Sequence, residues 1–170
     1  FDRWVDDENY DMPEIELDKD ASQTLIVGTT GLVEPYTFYE KNELAGTDIE
    51  IAYRFAQWLG ANIKFKVYDY SGLISAILSN DVDIALANVH ETAERMEAVE
   101  FSDPLYTVSN GVMVRDTASS ATTEYTDVDQ LAHSDIGIVT GTTFADILLS
   151  RLPDAQPLYY NTFADCIEAL

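Results

Sequence analysis

Arg95 stands out by its position. In Thr92-Ala93-Glu94-Arg95 the guanidinium falls on the first turn of a short helix opened by Thr92, soon after an apolar run, 82–87, that reads as a buried strand. A guanidinium fork fits a carboxylate through two parallel hydrogen bonds, and the chain has only 9 basic residues against 31 acidic ones. Strand exits in open α/β sheets converge on one crevice, so a fixed cation there suits a small anion. The competing reading is an ion pair with one of the many nearby acids.

Six further residues fall just after an expected strand or at the start of the next helix. They are Thr30, Tyr70, Asn88, His90, Thr142 and Thr143. Gly141-Thr142-Thr143 opens a helix, where free amides, hydroxyls and the positive dipole end make an anion seat, although both threonines also suit plain N-caps. Two anion seats, one in each half, suggest one shared carboxylate. Tyr70 reads as a ligand platform or as a core or rim aromatic.

His90-Glu91 invites a metal or acid/base reading, but the zincin pattern needs a second histidine at position 94, which is glutamate. His90 is therefore expected as a neutral hydrogen-bonding group. Asp81-x-Asp83 and Asp127-x-Asp129 lack the glycine and glutamate of a calcium loop. Neither a phosphate-binding glycine loop nor a Gly-x-Ser-x-Gly elbow is present, so no catalytic residue, metal or cofactor is expected.

The elements that must position these groups alternate. Residues 24–30 read as a first strand, 38–44 as a hairpin turning at Lys41-Asn42, and Thr47-Asp48-Ile49-Glu50 as a capping box. Ile49, Ala52, Phe55, Ala56 and Leu59 then form one helix face closed by Gly60. A strand over 62–69, a helix capped by Ser71 with Leu73, Ile74, Ile77 and Leu78 inward and ended by Asn80, and the strand 82–87 complete a βαβ series. A strand is expected over 108–114, then a Ser/Thr/Ala/Asp-rich crossover over 115–126. A second series follows: a short helix 128–131, a strand 136–139, a helix with Phe144, Ile147, Leu148 and Leu152 inward, a strand 157–160, and a helix from Thr162 with Phe163, Ile167 and Leu170 inward. Domains are drawn at 1–23 (linker or tail of a preceding module), 24–114 (lobe 1) and 115–170 (partial lobe 2).

A net charge of −22 repels phosphate backbones and anionic lipid, so nucleic acid and membrane surfaces are poor partners. The lone Cys166 has no internal disulfide partner and reads as a small buried hydrophobe. The opening residues are not a signal peptide, so any targeting or anchoring segment is expected outside this chain.

The pattern resembles the extracellular solute-binding proteins of amino-acid ABC transporters, with the type II periplasmic-binding-protein fold. The resemblance is carried by Leu25-Ile26-Val27-Gly28-Thr29, Pro35-Tyr36, Ala45-Gly46-Thr47-Asp48-Ile49-Glu50-Ile51-Ala52, Leu59-Gly60, Val82-Asp83-Ile84, Thr92-Ala93-Glu94-Arg95, Phe101-Ser102-Asp103-Pro104-Leu105-Tyr106 and Gly141-Thr142-Thr143. It implies an α/β, two-lobe fold closing on a small solute, with Arg95 gripping an α-carboxylate and Thr143 helping from the other lobe. The family's often acidic position after the first strand is Thr30 here, its frequent aromatic before the proline is Val33, and its two small positions before the arginine are Asn88 and His90. The family's second-lobe carboxylate and returning strand would lie past Leu170, which implies an incomplete second lobe. Phe1-Asp2-Arg3-Trp4-Val5 is similar to the closing helix of another such module, as in a tandem protein.

The implied function is binding of an amino acid or similar carboxylate. The implied partner is an ABC transporter permease or a tethered signalling domain, and the implied location is extracellular or periplasmic. A cyclohexadienyl-dehydratase-like enzyme on the same fold and a degenerate non-binding module are the alternatives.

Overall fold

The computed structural model describes residues 14–18, 20–115 and 125–170. Residues 1–13 of the expected 1–23 linker or tail, Phe1, Trp4 and Val5 among them, and most of the Ser/Thr-rich crossover lie outside them. The chain divides into two compact units, Phe1–Glu100 and Phe101–Leu170.

The first unit runs β1 (Thr24–Thr29), β2 (Leu32–Val33), β3 (Thr37–Glu40), β4 (Glu43–Ala45), α1 (Thr47–Leu59), β5 (Asn62–Val67), a 3-10 turn (Tyr70–Gly72), α2 (Leu73–Leu78), β6 (Ile84–Ala85) and α3 (Ala93–Ala98). Strand β1 lies between β5 and β6, and both neighbours run parallel to it. The strand expected over 82–87 narrows to two residues because a side chain takes over part of the ladder. Asp83 donates its amide to Ile26 O at 2.8 Å, and its carboxylate accepts from Ile26 N at 2.7 Å.

Leu25, Val27, Ala52 and Ala56 form the core, with Leu17, Ile63, Phe65, Ile84 and Leu86 packed around them. Two alanines let α1 approach the sheet closely and leave bulkier neighbours at the rim. Phe55 and Leu59, expected inward, are accordingly 38% and 43% exposed, and Phe55 stacks on Trp58 with ring centroids 5.8 Å apart. Gly60 closes the helix as expected, at φ 64°. So does the hairpin turn, with Lys41 at φ 50° and Asn42 at φ 68°.

The start of α1 corrects the capping-box reading. Gly46 is the cap residue, and Thr47 is already helical. Thr47 N, which the Glu50 carboxylate would have served, donates to Pro35 O at 3.1 Å, Asp48 N donates to Tyr36 O at 2.9 Å, and Glu50 N, which the Thr47 hydroxyl would have served, donates to Gly46 O at 3.0 Å. Glu50 instead pairs with Arg54 one turn on, at 2.6 Å. Ser71 likewise caps nothing, because it lies inside the 3-10 turn and Gly72 precedes α2. With six residues α2 buries only Leu73 and Ala76, and Leu78 is exposed. Asn80 ends that segment in the left-handed conformation, φ 56°.

In the second unit a 3-10 turn (Val128–Leu131) leads to β7 (Asp135–Val139), α4 (Phe144–Arg151), β8 (Gln156–Tyr160) and α5 (Phe163–Ala169), with β7 and β8 parallel. Leu131, Ile138, Leu148, Leu152 and Ala155 form its core. The strand expected over 108–114 does not form: a strand needs a paired neighbour, and none among the described strands pairs with this stretch. Ile147, Ile167 and Leu170, expected inward, are exposed, since two strands offer little surface for helices to cover. Cys166 is half-buried.

Gly46 sits at φ 119°, and a Cβ there would fall 2.2 Å from Tyr36 O. Gly46→Ala is expected to lower unfolding free energy in urea by about 2 kcal/mol or more. Gly60→Ala, with nothing within 4 Å of its Cβ, should cost only about 1 kcal/mol.

Candidate functional site

The parallel sheet of the first unit sends the exits of β1, β5 and β6 to one edge, and five of the seven candidates lie in the segments that follow: Thr30, Tyr70, Asn88, His90 and Arg95. Leu86 N donates to Gly28 O at 2.9 Å, which carries β6 pairing up to the exit loop. Asn88 then turns left-handed, at φ 51°. Its amide donates to Asp48 Oδ2 at 2.7 Å, and its carbonyl accepts from the Tyr70 hydroxyl at 3.0 Å.

Thr92 is the N-cap of α3 as expected, its hydroxyl accepting from Arg95 N at 3.1 Å. That bond places Arg95 on the first helical turn. The guanidinium donates through Nη1 to His90 O at 2.6 Å, and its carbon lies 5.9 Å from the Tyr70 ring centroid, within cation–π range. Tyr70, Asn88, His90 and Arg95 are thus one connected group.

Burial pushes the Tyr70 hydroxyl pKa up, with Asp48 adding to the effect and Arg95 opposing it. Burial likewise holds His90 below the usual imidazole value, reinforced by the positive charge of Arg95. At neutral pH the group therefore presents one cation, a neutral imidazole and a protonated phenol.

Thr30 lies at the exit of β1, 1% exposed, with its hydroxyl accepting from Leu32 N at 3.4 Å. Beside it Thr29 and Thr37 share a 2.6 Å hydroxyl contact, and Gly31 N donates to Thr37 Oγ1 at 3.1 Å, so these threonines brace the turn. Thr142 and Thr143 belong to the second unit. The Thr142 hydroxyl donates to Val139 O at 2.7 Å. Thr143 is the cap residue of α4 through its carbonyl, which accepts from Ile147 N at 3.1 Å, and its side chain makes no cap hydrogen bond.

Asp48 is the functional neighbour that sequence reasoning missed. Its place in an apparent capping box suggested a local role, and only the burial of an acid next to core Ile49 would have hinted otherwise. Asp81, considered above as part of a calcium loop, is bound by the Lys66 ammonium and the Tyr68 hydroxyl. Lys66 first and Tyr68 second hold its carboxyl below the usual range. Among the described residues no group of three or more potential ligands could hold a metal.

Parallel β/α units with a polar, cation-bearing exit edge are common to open α/β folds, and solved structures narrow the class to the type II periplasmic-binding-protein fold. The ancestral amino acid-binding protein AncCDT-1, a precursor of cyclohexadienyl dehydratase, matches with TM-score 0.78 and 27% identity, over 85% of this chain and 64% of that one. The family model of the bacterial extracellular solute-binding proteins, family 3, matches residues 25–170, and the chain belongs to that family. The arginine-binding extracellular protein ArtP of Bacillus subtilis (strain 168) is 32% identical over 93 residues, 55% of this chain and 36% of ArtP. The L-cystine-binding protein TcyJ of Escherichia coli (strain K12) is 29% identical over 139 residues, 81% of this chain and 51% of TcyJ. The chain thus spans between about a third and a half of these two relatives' length.

The depressed His90 pKa has a signed consequence. Between the folded value and the ordinary 6.5, the unfolded chain binds more protons than the folded one, so stability falls as pH drops through that window. Urea unfolding of wild type and His90→Gln between about pH 7.5 and 5.5 should show the variant losing less stability on acidification.

Proposed function

We propose that the chain is the ligand-binding part of a protein that captures a small carboxylate-bearing solute, an amino acid, without transforming it. The observation that carries this reading is the fixing of Arg95 from three directions: the Thr92 cap on its amide, the His90 carbonyl on its guanidinium, and the Tyr70 ring near its face. A cation held this way loses little side-chain freedom when a carboxylate docks. Each charged hydrogen bond to the ligand carboxylate would contribute about 1.5–3 kcal/mol. Tyr70, Asn88 and His90 are the nearest surroundings of such a ligand. The proposal also counts Thr30, and Thr142 and Thr143 of the second unit, as ligand-binding residues.

The family's extracellular character supports a role outside the cytoplasmic membrane, and the amino-acid-binding names of its relatives support the ligand class. An ABC transporter permease is the proposed partner, a tethered signalling domain the variant of it, with anchoring to the cell surface through another segment of the protein. The dehydratase reading draws on His90 with Glu91 for proton transfer, and burial beside Arg95 disfavours the protonated form of His90. Binding without catalysis is therefore the better reading.

Thermal-shift screening of the full-length protein against the common L-amino acids and L-cystine should produce at least one stabilising ligand, followed up by calorimetry. Arg95→Ala is expected to weaken that ligand about 100-fold, and Arg95→Lys, which keeps the charge but loses the fork, about 10-fold. Wild-type affinity in Arg95→Ala would rule out the carboxylate grip, and a flat response across the panel would favour a module that no longer binds.

A further inference from the structure

We propose that Asp48 is a positioning residue for the Arg95 site: its carboxylate holds the Asn88 amide and so sets the exit loop whose His90 carbonyl receives the guanidinium. The assignment rests on the binding reading above and adds to it a residue that touches no ligand.

Asn88 is gripped through both of its main-chain groups, its N–H by Asp48 at 2.7 Å and its C=O by Tyr70 at 3.0 Å. Such a double grip matters because Asn88 holds a left-handed backbone, φ 51°, which an L-residue adopts at a cost unless its surroundings compensate. Two residues on, the His90 carbonyl accepts from Arg95. The path from Asp48 to the guanidinium therefore runs through one short loop, though Asp48 and Asn88 lie 40 positions apart in sequence.

The burial of Asp48 points the same way. It is 1% exposed, and a buried carboxylate persists only when hydrogen-bonded and electrostatically favoured. It has the Asn88 amide as donor, and it stands in the first turn of α1, the positive end of the helix dipole. A carboxylate needed only to start the helix would sit equally well at the surface, since Pro35 O and Tyr36 O already receive the amides of Thr47 and Asp48.

The test uses Asp48→Ala, Asp48→Asn and Tyr70→Phe in the full-length protein, with two readouts. One is calorimetric affinity for the tightest common L-amino acid. The other, on ligand-free protein, is NMR: exchange protection of the Asn88 amide and the chemical shift of Arg95 Nε–H. Asp48→Asn retains an acceptor oxygen and is expected to stay within about 3-fold of wild type, whereas Asp48→Ala should bind about 10- to 100-fold more weakly and lose Asn88 protection. Tyr70→Phe, which keeps the ring and leaves the Asp48 bond to the Asn88 amide in place, should weaken binding less and retain most of the Asn88 protection.

An Asp48→Ala variant that folds, binds within about 3-fold of wild type and keeps the Arg95 signal in place would overturn the assignment. If Asp48→Ala does not fold, an Asp48→Asn variant in which the Asn88 amide loses protection while the Arg95 signal and the affinity stay at wild type overturns it instead. Should wild type bind no amino acid, the binding reading fails, yet the NMR readouts still decide whether Asp48 sets the loop.

Discussion

Strand β1 has a parallel partner on each side, and that arrangement constrains everything that follows in the first unit. Parallel strands cannot be joined by tight turns, so each must be followed by a helix or long excursion that returns the chain to the starting end. The exits of all three strands then share one edge. Tyr70 lies three residues past β5 and Asn88 three past β6, which is how groups 18 positions apart come within hydrogen-bonding distance. Without the β1 pairing the guanidinium of Arg95 would still be capped by Thr92, but nothing would bring Tyr70 to it.

Local chemistry was legible in the sequence and non-local chemistry was not. Gly60, Asn80, the Lys41-Asn42 turn and the Thr92 cap are read correctly because each depends on a residue's own backbone preference or on a partner within one helical turn. The order of strands and helices follows from apolar periodicity, and Arg95 from its place after a strand. Where a distant group intervenes, local rules mislead. Thr47 and Glu50 have the spacing of a capping box, yet the 35–36 carbonyls arrive first; the span 82–87 is apolar like a strand, yet the Asp83 carboxylate replaces part of its ladder. Residues 108–114 have strand composition and no described partner. Asp48 is the sharpest case, since its contact lies 40 residues away.

Electrostatics at long and short range differ in sign. A net charge of −22 works against any anion approaching from a distance, although salt screens it within about 10 Å. At the exit loop the local field combines the Arg95 guanidinium with the buried Asp48 carboxylate, with His90 kept neutral and the Tyr70 phenol kept protonated. An amino acid with an uncharged side chain, within the ligand class proposed above, carries no net charge while its carboxylate is fully ionised, so it would escape the distant repulsion and meet the near attraction.

The tie at Gly46 has a mechanical result. Thr47 and Asp48 give their amides to the carbonyls of the turn joining β2 to β3, so the same two bonds finish the helix and fasten that turn beside it. Neither end can fray alone. The β2–β4 ribbon, which by itself would be too small to persist in water, is thereby tied to the thirteen-residue helix it borders, so opening the one costs hydrogen bonds of the other.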